Sequence, residues 1–302
     1  MISLVHRPAA PLSAFVDHLW SFSDAPPHAR EGIVPSGTLE LVVNLHEDEF
    51  RIYDAVDGER CRRFSGAMVS GTYRRAFVID TREHASVMGV HFKPGCALPV
   101  LRIPPGELAD THVDLETLWG RHGAGELRDR LCAAPTAARR FRILEELLCE
   151  RLRRPIARHR AVQVGLDRIA AGHSVREVAR DIGLSHRRFI EVFAAEVGMT
   201  PKLFGRVQRF QRGLEMAQRA ESPDWSRLAV DCGYFDQSHL IRDFVGFSGF
   251  SPTELLRQRS PRVKQNHVAL PEVTGSISSN THRASDPRLL ARGQHDPISR
   301  TP

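Results

Sequence analysis

No two of the five cysteines in this 302-residue chain stand as a CxxC pair; they fall at 61, 96, 132, 149 and 232. That scatter argues against a zinc finger or a disulfide framework, and it fits a reducing cytoplasm. No apolar run reaches the length needed to cross a bilayer. The N-terminus, MISLVHRPAAPLSAF, lacks the charged and then apolar pattern of a secretory signal. GxSxG, HExxH, the P-loop pattern and GxGxxG are all missing, so the usual signatures of a hydrolase, a metalloprotease or a nucleotide-binding enzyme are not met. Lysine is nearly absent: only Lys93, Lys202 and Lys264 occur. Genome composition explains that arginine bias more cheaply than function does.

What the chain does contain is one pattern stated twice. SVREVARDIGLSHRRFIEVF (Ser174 to Phe193) is followed by GMTP, and DWSRLAVDCGYFDQSHLIRDF (Asp224 to Phe244) by GFSP. Val178 answers Leu228, Ala179 answers Ala229 and Gly183 answers Gly233. After one extra residue, Phe235, the register resumes: Phe189 answers Leu240 and Phe193 answers Phe244. Ser174 with Glu177 makes a capping box, Gly183 suits a helix end, and Ser185 and Asp236 cap the helices that follow. Each copy therefore reads as helix, tight turn, helix, the pattern whose second helix enters a DNA major groove. Thr200 and Pro201 open a longer helix with the apolar stripe Leu203, Val207, Phe210, Leu214 and Ala217, a spine for both copies.

Residues 156–258 resemble the AraC/XylS-type bacterial transcription regulators. The likeness rests on Ala179, Gly183, Ser185, Phe193, Gly198, Thr200 and Pro201 in the first copy. In the second it rests on Leu228, Ala229, Gly233, Tyr234, SHLIRDF and GFSP. The resemblance implies two recognition helices in successive major-groove segments of double-stranded DNA. His186, Arg187, Arg188 and Glu191 would lie on the first. Gln237, Ser238, His239 and Arg242 would lie on the second. On the linker helix, Arg206, Arg209 and Arg212 are candidate phosphate contacts only in part, since some of them must face away from the duplex. Arginine can hold guanine with two hydrogen bonds and glutamine can read adenine. Glu191 departs from the family, where a basic residue is common. It is compatible with DNA if it accepts from cytosine or pairs with Arg187 or Arg188. RNA polymerase, a small-molecule effector and a second copy of the chain are further partners that the family leaves open, and no cofactor is implied.

Net charge is +6 and unevenly placed. Residues 156–260 carry +4 and residues 261–302 carry +3, against −1 for the first 155. Phosphate binding needs positive charge on the duplicated half. The front half reads as a small β-barrel or sandwich, with strands at 39–45, 50–55, 64–70, 75–80 and 86–92 and a helix or strand before residue 35. Helices follow at 123–132 and 137–152. PSGTLELVVNL and GVHFKPG resemble cupin-related N-terminal domains attached to such regulators. The expected architecture is α+β: a cupin-like sensor or dimerisation domain at 1–153, the all-α tandem helix-turn-helix domain at 156–258, and a disordered tail at 260–302. A rival reading is a metal-dependent cupin-type enzyme with a DNA-binding appendage. Glu83, His84 and His91, with His46 and His112 further off, come closest to a ligand set, but no HxH pair exists. A rim or interior histidine is the commoner role, so no catalytic or metal residue is assigned.

Overall fold

Apolar alternation in the first hundred residues folds as strands. The computed structural model describes residues 2–23, 30–54, 60–81, 85–152, 159–258 and 266–270. Its front half comprises β1 (Ile2–His6), β2 (Val16–Ser23), β3 (Arg30–Ile33), β4 (Glu40–Asn44), β5 (Glu49–Tyr53), β6 (Cys61–Ser65), β7 (Ala67–Ser70), β8 (Phe77–Asp80) and β9 (Ser86–Phe92). Then come α1 (Leu98–Leu101), β10 (His112–Asp114), α2 (Leu115–Ala133) and α3 (Ala137–Leu152). The back half is α4 (Arg160–Ala170), α5 (Val175–Asp181), α6 (His186–Val197), α7 (Pro201–Arg219), α8 (Trp225–Asp231), α9 (Gln237–Ser248) and α10 (Pro252–Gln258), closed by β11 (His267–Ala269).

Two antiparallel sheets face one another and stay open, so of barrel and sandwich the latter describes the fold. One sheet runs β1-β2-β9-β4-β7-β10 and the other β11-β3-β8-β5-β6. Leu39, Leu41 and Val43 point from the first sheet into a core shared with α1, α2 and α3, where Leu127, Leu131, Leu144 and Leu148 are buried. Val42 points the other way. It joins Trp20, Phe50, Phe64, Met68 and Ile79 between the sheets. β4 thus obeys the two-residue period while burying both faces, whereas β1 at the sheet edge leaves Leu4 and Val5 exposed.

Three expectations need adjustment. The stretch before residue 35 contains three strands, β1 to β3, rather than one helix or strand and a loop. The single strand expected at 64–70 is two, and they lie in different sheets. The break falls at Gly66, where a Cβ would sit 2.4 Å from the Asp48 carboxylate and 2.6 Å from Arg128 Nε. Finally, residues 267–269, within the stretch read as tail, form β11 and pair antiparallel with β3. Val268 is buried there among side chains of the helical core. The linker at 153–155, the turn at Asp57-Gly58 and the rest of the tail lie outside the described residues.

The two halves are packed together. Val34, in the loop before β4, is buried in the core of the helical half. Thr72 Oγ1 donates to Gly198 O at 2.7 Å, and the Ala76 amide donates to Phe247 O at 2.9 Å. The Gln211 side-chain amide donates to Pro35 O.

Candidate nucleic-acid interface

Local hydrogen bonds fix where each short helix begins. Ser174 Oγ accepts from Glu177 N while Glu177 Oε2 accepts from Ser174 N, a complete capping box. Ser185 Oγ accepts from Arg188 N and Asp236 Oδ1 from His239 N, so both second helices start at the residue the repeat assigns. Gly183 and Gly233 carry φ of +74° and +79°. Only that left-handed turn lets α5 and α8 stop and the chain swing into the next helix.

Phe189 and Phe193 of α6, and Leu240 and Phe244 of α9, are fully buried. Both helices lean on α7: the Phe193 and Phe204 rings are 5.7 Å apart, and those of Phe210 and Phe244 4.9 Å apart, edge to face. Ring pairs of this kind add to simple burial and fix orientation. Of the expected stripe, Val207, Phe210, Leu214 and Ala217 are buried and Leu203 is half-buried.

The opposite faces are open. On α6, His186, Arg187, Arg188 and Glu191 are exposed, with the Arg187 side chain at 91%. Arg187 Nε donates to Glu191 Oε1 at 2.9 Å, and Arg188 approaches the other carboxylate oxygen at 3.7 Å. The Arg187 hydrogen bond holds the Glu191 carboxyl below its ordinary range, and the same bond raises Arg187. One turn of helix spacing thus neutralises part of the positive face. On α9, Gln237, Ser238 and Arg242 are exposed, while His239 is half-buried edge-on to the Tyr234 ring. Ser226 Oγ donates to Gln237 Oε1 at 2.9 Å and Arg242 Nε to Ser238 O at 3.3 Å.

The linker-helix arginines are placed differently from the open helix faces. Arg206 reaches Asp243, which is 2% exposed. Arg209 lies over the Tyr234 ring, 5.4 Å from its centroid. Asp243 was not singled out by sequence reading, although a carboxylate inside the apolar run LIRDF is the signal that could have done so.

Contacts with the front half leave these faces uncovered. The segment Pro105–Leu108 packs on the last turn of α6, where Gly106 meets Ala194 and Ala195. Phe247 near the end of α9 meets Ala76. Both touch the C-terminal ends, whereas His186 to Glu191 and Gln237 to Arg242 occupy the N-terminal ends that enter a groove.

Residues 178–258 match the family model described as a helix-turn-helix domain. The module is an AraC-type DNA-binding domain. The chain carrying it is a DNA-binding transcription regulator. Residues 4–114 match a domain of unknown function (DUF6597). No curated protein matches the chain. Among solved structures, an apo ToxT variant from Vibrio cholerae strain SCE256 is similar at 11% identity and a TM-score of 0.44, covering 79% of this chain and 97% of that one. The C-terminal domain of AraT, a response regulator from Geobacillus stearothermophilus, is 18% identical over 41% of this chain and 98% of its own, TM-score 0.32. A probable AraC family transcriptional regulator from Rhodopseudomonas palustris CGA009 is 23% identical over 34% and 100%, TM-score 0.30.

The front half holds a cavity of about 100 Å³ between its sheets. Trp20, Phe50, Met68 and Phe77 give it apolar walls, and Glu31 and Glu40 add carboxylates. Asn266 and His267, from the segment beyond the DNA-binding module, complete one side, with His267 Nδ1 2.7 Å from Glu31 Oε2. His91 stacks on His18 with ring centroids 4.8 Å apart, and its Nδ1 pairs with Glu40 at 2.8 Å. Burial alone would depress His91, but the Glu40 hydrogen bond and charge outweigh it and raise the ring above its ordinary value. His112, 3% exposed, shares a hydrogen bond between its Nδ1 and the Tyr73 hydroxyl. Among the described residues no three His, Cys, Asp or Glu are grouped to hold a metal, and Glu83 and His84 lie outside them. Among those residues no helix is long and apolar enough to cross a membrane.

Proposed function

We propose that the regulator binds specific double-stranded promoter DNA in the cytoplasm, with α6 and α9 in neighbouring major-groove segments about one turn, ~34 Å, apart. The observation carrying this reading is that both helices bury their aromatic side on α7 and leave His186, Arg187, Arg188, Gln237, Ser238 and Arg242 open to solvent. Arg242 and Arg187 would hold guanines and Gln237 an adenine. Arg206 and Arg209, tied to Asp243 and Tyr234, would set the spacing of the helices, with phosphate contact second to that. If the spacing is rigid, the duplex bends to admit both helices, at a cost of order 1–6 kcal/mol.

The test is a salt-matched gel shift of Arg242→Ala. A larger loss on the selected site than on random DNA supports base reading. Equal losses would reassign the residue to phosphate.

We assign the front half no catalytic role. A cavity with mixed apolar and acidic walls favours a sensing domain for a small-molecule effector. RNA polymerase and a second copy of the chain remain partners by family analogy alone.

A further inference from the structure

Phe235 is the residue by which the second repeat exceeds the first. It is also the most exposed large hydrophobic residue described, at 90%. The other fourteen phenylalanines are all buried or half-buried. Single exposed apolar residues are common on protein surfaces, but this one is held in place from both sides. Before it, Tyr234 is 5% exposed and its amide donates to Ala229 O at 2.9 Å. After it, Asp236 caps α9 through His239 N. The backbone is pinned on both flanks while the ring has no protein core to enter.

Its place is the N-terminal end of the second recognition helix, two residues before Gln237 and three before Ser238. In helix-turn-helix proteins that end meets base edges. A ring presented there offers no hydrogen bond, so it cannot read donors or acceptors. It can read the one apolar feature of the major groove, the C5-methyl group of thymine.

We infer that Phe235 is a specificity residue that packs on a thymine methyl at the edge of the second half-site. This rests on α9 being a DNA-reading helix. In the first copy the turn passes directly from Leu184 to Ser185 with no equivalent residue, so the two recognition helices differ in kind. The first reads through Arg187 and its neighbours, and the second adds an apolar probe to Gln237 and Arg242.

The test uses the full-length protein. A preferred site is first selected from a random duplex library. Each thymine in it is then replaced by uracil, which removes only the methyl. Wild-type protein should lose about fourfold in affinity at one or two positions, the worth of a buried methyl. Phe235→Ala should bind the unmodified site roughly tenfold more weakly and show no further loss with uracil there. Phe235→Leu should retain part of the discrimination. Because the residue is 90% exposed, thermal stability should be unchanged in both variants.

If wild-type protein enriches no site, the DNA-reading role of α9 fails and this inference with it. If a site is enriched but Phe235→Ala keeps wild-type affinity and uracil sensitivity, only the inference fails. Loss of transcription with DNA binding intact would likewise overturn it and assign the ring to a protein partner.

Discussion

Arg206 on α7 donates two hydrogen bonds to a single oxygen of Asp243 on α9, from Nε at 3.0 Å and Nη2 at 2.6 Å. Asp243 is 2% exposed and its other oxygen has no hydrogen-bond partner. The pair fastens the second recognition helix to the linker helix. A guanidinium engaged this way does little for a phosphate. Removing it strands a buried carboxylate, a change that costs 3–5 kcal/mol when both partners are deeply buried. Arg206 is half-exposed, so Arg206→Ala should cost about 2–3 kcal/mol, and Arg206→Lys should restore only part because lysine lacks the two-pronged geometry. Urea unfolding gives the first number. The slope of log Kd against log salt gives the second check: a structural role leaves it unchanged, whereas loss of a phosphate contact lowers it by about one.

Glu191 tests the first helix in the same way. Its carboxylate occupies Arg187 and partly Arg188 on a face proposed to meet phosphates. Glu191→Gln frees both arginines and removes a negative charge. Binding to random duplex should tighten severalfold and the salt slope should steepen by about 0.9. Binding to the selected site should tighten equally if Glu191 only damps the charge. If instead it accepts from a cytosine, specific binding will weaken while random binding strengthens.

The helical half was legible from its sequence because its signals are local. Ser174 with Glu177, Ser185, Asp236 and Thr200 cap the helices they were expected to cap. The duplication also supplied an internal control that single motifs lack. The front half was legible in its alternation but not in its pairing. Nothing near Cys61 or Ala67 tells that β6 and β7 belong to different sheets, because register depends on partners far along the chain. The role of Arg206 was obscured because an arginine on a basic helix looks alike whether it faces phosphate or a buried aspartate thirty-seven residues away. β11 was missed because three residues carry too little periodicity to separate a strand from a polar tail.

His112 sets an acid limit for the front half. Burial, aided by the charge of Arg62, pushes its pKa down from 6.5 to about 3. Between those values the unfolded chain binds a proton that the folded chain refuses. Stability should therefore fall as pH drops from 6.5 toward 3, by about 1.4 kcal/mol per pH unit from this group. His91 acts with the opposite sign: its raised pKa gives stability that is full below 6.5 and is lost as pH rises through the folded value. Replacing His112 with Gln, whose amide can still hydrogen-bond Tyr73, should flatten the acid limb. Urea midpoints at pH 6.5, 5.5 and 4.5 measure it, and equal slopes in variant and wild type would show that His112 is not responsible.

β11 makes residues 267–269, which follow the DNA-binding module, part of the front domain's second sheet. Val34 N donates to Asn266 O at 2.9 Å and Leu270 N to Arg30 O at 2.9 Å, bracketing the strand. Val268, 1% exposed, lies between them and enters the helical core beside residues of the DNA-binding half. One three-residue strand therefore touches the β3 edge, the cavity and the helical core at once. Val268→Asp would bury an unpaired charge, which a short edge strand avoids by detaching. The expected result is loss of about 2–3 kcal/mol of apolar burial and pairing, with faster amide exchange at 30–33 and unchanged exchange in α6. Release of β3 without release of α6 would place the strand in the sensing half. Equal acceleration in both would mean that β11 holds the two halves together, and Arg242-dependent DNA selectivity should then fall in the same variant.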